Sequence, residues 1–199
     1  MRLIAVYLAA GVLGSPSAMA EDRSDAMLHA FQDACFPRLD DPAARGQKIV
    51  GAEFARVPIN AVPEIKLMAQ LLRVPDDMKA FLSVEYETYR GQRRGIDLVV
   101  VLQEMVSRGE RRSLCIVYDF GAVEPVSESK VAEWIGRPAD KQRRLRLRDS
   151  GWVWASGVAA LPGGYHAIGS MYEKATRGIP WSGASLRAEA PPSREPPAK

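Results

Sequence analysis

The chain has 199 residues, 47% of them hydrophobic and 26% charged, with 27 basic and 24 acidic side chains and a formal net charge of +3. That composition suits one globular domain with a sizeable core, and it excludes a collagen-like repeat, a wholly disordered chain and a multi-span membrane protein. So small a basic surplus does not call for a nucleic-acid partner, and 2 Cys with 2 His are too few for a zinc finger or an iron–sulfur framework.

The first segment carries the clearest signal. Arg2 is a short positive start, Leu3 to Leu13 is an apolar run, Gly14, Ser15 and Pro16 break it, and Ala18-Met19-Ala20 is a small-x-small cleavage site. This order predicts a secretory signal peptide over residues 1–20, cut after Ala20. The run is too short to anchor the chain across a bilayer, and no later segment is long and apolar enough to span one. The expected destination is periplasmic or secreted. The mature domain is expected over 21–186.

Ser24 caps a predicted helix over about 24–36, with Leu28, Phe31 and Cys35 on one face, closed by Pro37. Asp41-Pro42 starts a second helix, a capping Asp followed by Pro at the first helical position, with Ile49, Val50 and Phe54 inward. Pro63-Glu64 opens a third, short helix carrying Ile65, Met68, Leu71 and Leu72. The period then changes to two. Leu82, Val84, Tyr86 and Thr88 alternate with Ser83, Glu85 and Glu87, a half-buried strand. Ile96, Leu98, Val100 and Leu102 share one face of the next strand, and Leu114 to Phe120 is a third. Short turns join them as an antiparallel meander. Ser127 caps an inserted helix with Val131, Trp134 and Ile135, stopped by Gly136 and Pro138. Arg144 to Arg148 alternates Arg and Leu as a strand, Asp149-Ser150-Gly151 reads as a turn, and Trp152 to Trp154 and Tyr165 to Tyr172 read as two further extended segments. Residues 187–199 form a Pro-rich tail expected to be disordered. The predicted class is α+β: N-terminal helices packed on an antiparallel sheet of about five or six strands, with one helix inserted.

An exported chain with 2 Cys predicts one disulfide, Cys35–Cys115, which would tie the first helix to a central strand. A reactive thiol served by His29 or His166 is the alternative, but Cys115 sits inside an apolar strand rather than in an exposed basic turn.

Three constellations are candidates for function. Ser127-Glu128-Ser129-Lys130 matches S-x-x-K, the pattern of a helix-borne serine activated by a lysine one turn on, but no S-D-N or K-T-G follows. Arg144, Arg146 and Arg148 point one way on a strand and form a candidate clamp for an anionic ligand or partner. The competing reading is a charged edge that blocks aggregation. Trp152 and Trp154 share a strand face, a candidate contact surface unless they fill the sheet core. No metal-ligand spacing, cofactor motif or catalytic set emerges. Phe31-x-x-x-Cys35 and Leu114-Cys115-Ile116-Val117 resemble small exported proteobacterial proteins of unknown function, a resemblance over about 31–120 that implies a disulfide-linked periplasmic domain and carries over no catalytic residue. The expected function is a non-enzymatic binding or accessory protein of the envelope, its partner an envelope protein or anionic ligand. An exported serine hydrolase or acyl-transfer enzyme using Ser127 and Lys130 is the alternative.

Overall fold

The computed structural model describes residues 16–36, 41–71, 73–79, 82–145, 149–155, 164–176 and 180–194. Four α-helices are arranged about one antiparallel sheet of nine strands. The α+β class is as expected, but the sheet is larger than five or six strands.

Helix α1 (Pro16–Cys35) runs diagonally over the sheet, and α2 (Pro42–Gly51) follows. Asp41 caps α2 as expected, its carboxylate accepting from the backbone N–H of Ala43 at 3.3 Å and Ala44 at 3.0 Å. Strand β1 (Ala55–Val57) and α3 (Pro63–Leu71) lead to three long strands, β2 (Leu82–Arg93), β3 (Ile96–Ser107) and β4 (Glu110–Asp119). Their turns are Arg94-Gly95 and Arg108-Gly109, in which all four residues have positive φ, from 51° to 77°. Two consecutive left-handed residues match the right-handed twist of the flanking strands, which makes these tight hairpins. Helix α4 (Glu128–Ile135) comes next, ended by left-handed Gly136, and then β5 (Lys141–Leu145), β6 (Asp149–Trp154), β7 (Ala167–Glu173), β8 (Gly183–Glu189) and β9 (Ser193–Arg194).

The strand order is β1-β2-β3-β4-β8-β7-β6-β5, with β9 pairing separately to β4. Two meanders, β2–β4 and β5–β7, are therefore joined through β8. Helices α1, α2 and α4 lie on one face, over Leu98, Val100, Leu102, Val117, Leu186 and Ile168. The opposite face carries Val99, Val101 and Ile116, covered by Val62 and by Ile65 of α3.

Three strands were missed in the sequence. Strand β1 is only three residues long, too short to show alternation. Strand β8 is built from small residues, with Ala184, Leu186 and Ala188 buried against the helices. Its Arg187–Glu189 had been assigned to the disordered tail, but they pair with β4 and β7, and Ser193–Arg194 pairs with β4. Residues 195–199 lie outside the described residues, as does the predicted signal peptide up to residue 15. Asp149-Ser150-Gly151 is the start of β6 rather than a turn. A Cβ on Gly151 would lie 2.0 Å from the Ser170 carbonyl oxygen, so this glycine serves the close approach of β6 to β7.

Candidate functional site

The helical layer ends at a covalent joint. Cys35, the last residue of α1, is bonded to Cys115 of β4, with Cα atoms 5.7 Å apart. Both cysteines are buried, and the Tyr165 hydroxyl donates to the Cys35 carbonyl at 2.8 Å, satisfying one of the orphan acceptors at the helix end. At its other end α1 is held by charge. Arg23 donates two hydrogen bonds to the Asp119 carboxylate, at 2.8 and 2.6 Å, and the Gly121 N–H donates to the same group at 2.8 Å. Asp119 is 1% exposed, so this bidentate pair compensates a desolvated charge.

Beyond the disulfide the strands continue past the end of α1. There Ser83, Glu85 and Glu87 of β2 lie opposite Val106, Glu104 and Leu102 of β3, which in turn face Arg111, Ser113 and Cys115 of β4. Directly paired residues point to one side of a sheet, so these side chains share the helix-side face. All of them but Ser113 and Cys115 line a groove of about 300 Å³, with Arg45 of α2 forming its wall nearest the helices. Leu102 and Val106 give it an apolar floor. Glu104 is its electrostatic centre: it accepts from Arg45 at 2.6 Å and from Ser113 Oγ at 3.2 Å, and lies 3.6 Å from Arg111. Glu87 is held by the Tyr89 hydroxyl at 2.7 Å and by Arg56 at 3.3 Å. Burial, with the adjacent Glu87 carboxylate, pushes the Tyr89 hydroxyl up to about 12. Glu85 is exposed at the groove's outer rim. Arg45 has a buried Nε–H with no partner.

A second, more polar cleft of about 450 Å³ lies at the opposite end of the strands, beside the Arg23–Asp119 pair and Arg90. Within it Arg23 is paired with Asp119 and Arg90 faces Asp97 at 3.5 Å, and it has less apolar lining.

The residues singled out in the sequence fall elsewhere. Arg144 belongs to β5, the outermost strand of the sheet, but its side chain and the whole of Arg146 and Arg148 lie outside what is described. Trp154 has no exposed surface and donates its Nε1–H to the Arg137 carbonyl at 3.2 Å. Trp152 is half-buried and packs against the same core. Trp154 thus lies inside the core, while Trp152 at its margin keeps part of its surface exposed. Ser127 shares a hydrogen bond with Ser129 at 2.7 Å, while the Lys130 ammonium is paired with Asp25 of α1. The described contacts of each thus lead away from the other. Among the described residues no group of three or more His, Cys, Asp or Glu could hold a metal ion, and no helix is long and apolar enough to cross a membrane.

The groove residues were visible in the sequence only as the polar half of an alternating strand, Ser83, Glu85 and Glu87. Arg45 and Glu104 gave no signal, because nothing local marks a helix arginine and a strand glutamate 59 positions apart as partners. No protein-family model, curated protein or solved structure matches the chain.

Proposed function

We propose that this is an exported protein, cut after Ala20 and working in the periplasm or outside the cell as a non-enzymatic binding or accessory protein. The observation that carries the reading is the buried Cys35–Cys115 disulfide, since such bonds persist in oxidising compartments and are rare in the cytosol. The groove beyond that bond is the proposed binding site. It combines an apolar floor with a few converging polar groups, the usual make-up of a recognition site. Loss of residues 1–20 would shorten α1 at its start and leave Arg23, Asp25 and the core residues Met27, Leu28, Ala30, Phe31, Ala34 and Cys35.

The test is intact-mass analysis of the protein recovered from an envelope extract. The expected species begins at Glu21 and is lighter than its reduced form by two hydrogens. An uncut chain with two free thiols would overturn the proposal.

A further inference from the structure

The groove has one open side, and that side is a strand edge. Strand β1 pairs only with Thr88, Tyr89 and Arg90 of β2. The preceding stretch of β2, Leu82 to Glu87, has β3 on one side and no strand among the described residues on the other. At about 3.4 Å per residue this bare edge is roughly 20 Å long. Its outward N–H and C=O groups are a template for another extended chain. From this we infer that an extended peptide segment with alternating basic and apolar residues adds to the sheet along Leu82–Glu87, placing its basic side chains over the groove. The inference rests on the groove being the binding site.

Charge and pattern select the occupant. On the groove side β2 presents Ser83, Glu85 and Glu87, and on the other side Leu82, Val84 and Tyr86. Glu87 already faces Arg56 and Tyr89, and Glu104 already faces Arg45 and Arg111. Glu85 is the exposed carboxylate beside the edge. A Lys or Arg on the incoming strand lies beside β2 and can bring its charge to Glu85, the carboxylate next to that edge. Apolar residues of the same strand fall beside Leu82 and Val84. Main-chain hydrogen bonds then give affinity and the groove gives side-chain selectivity, as in other cases of strand addition. A second copy of this chain fits less well: antiparallel self-pairing of the edge brings the Glu85 and Glu87 carboxylates of the two copies together on one face. An edge that only repels neighbours needs its charges but not the apolar floor behind them.

The experiment titrates the purified oxidised protein with a short fluorescent peptide of alternating lysine and valine. A second peptide carries N-methyl groups on alternate residues of one edge, and a third carries them on the other. Saturable binding is expected, weakened roughly tenfold or more by Glu85→Lys and by N-methylation of one edge only, with Glu85→Gln intermediate. Equal binding of all three peptides, with Glu85→Lys still harmful, would overturn strand addition while leaving the groove reading in place. No binding of any peptide, or binding indifferent to Glu85→Lys, would overturn the inference. Concentration-dependent dimerisation lost in Glu85→Lys would assign the edge to a second copy and likewise overturn it.

Discussion

Asp119 and Gly151 show how single residues hold this fold together. The buried Asp119 carboxylate accepts hydrogen bonds from Arg23 and the Gly121 N–H. Removing the guanidinium leaves a buried carboxylate short of partners. Arg23→Ala is therefore expected to lower the unfolding free energy in urea by about 1–3 kcal/mol, with Arg23→Lys recovering part of the loss. Gly151 acts through space rather than charge. An alanine there would meet the Ser170 carbonyl oxygen and the Met171 Cα and Sδ atoms, forcing β6 away from β7. Gly151→Ala is expected to destabilise by about 3 kcal/mol or more, read as a lower urea midpoint at unchanged slope. The sequence displays neither effect. Asp119 reads as one polar residue near the end of a predicted strand, and Gly151 reads as a turn residue because Asp and Ser precede it.

At the scale of elements, the disulfide links α1 to the centre of the sheet and closes a loop of 80 positions. In the chain-entropy view such a cross-link stabilises by about 4–5 kcal/mol through the unfolded state. Reduction, and Cys35→Ala, are both expected to lower the melting temperature substantially and by similar amounts; equal melting temperatures with and without reductant would contradict this. This joint was legible in the sequence because 2 cysteines allow one pairing within the chain. Helices α2, α3 and α4 were legible from Asp41-Pro42, Pro63-Glu64 and the Gly136 stop, and β2 to β4 from alternation and apolar runs separated by short turns. Strand β8 was not. Its buried side chains are mostly alanines, which carry little hydrophobic pattern, and its pairing with β4 spans about seventy residues of intervening chain. Such pairings are set by tertiary contacts that no local window contains.

For the whole molecule, stability should be flat through neutral pH and fall in alkali. Tyr89 and Tyr118 both have hydroxyls pushed up to about 12, chiefly by burial, and Tyr86 is raised by the same cause. These raised groups favour the folded state fully below the ordinary tyrosine value of about 10. Above it the unfolded chain loses protons that the folded one keeps, so stability declines as pH rises towards about 12. Urea unfolding at about pH 8 and pH 11 should show this decline. Tyr118→Phe should make it shallower; an unchanged slope would remove Tyr118 as a cause. The sheet order carries a further consequence. Among the described residues, the two meanders are hydrogen-bonded to one another only through a strand that begins at Gly183, among the last parts of this sequence to be synthesised. Until that strand is made, each half-sheet has a raw margin. A polypeptide whose central seam is delivered so late can complete its sheet only when almost all of its length has been made.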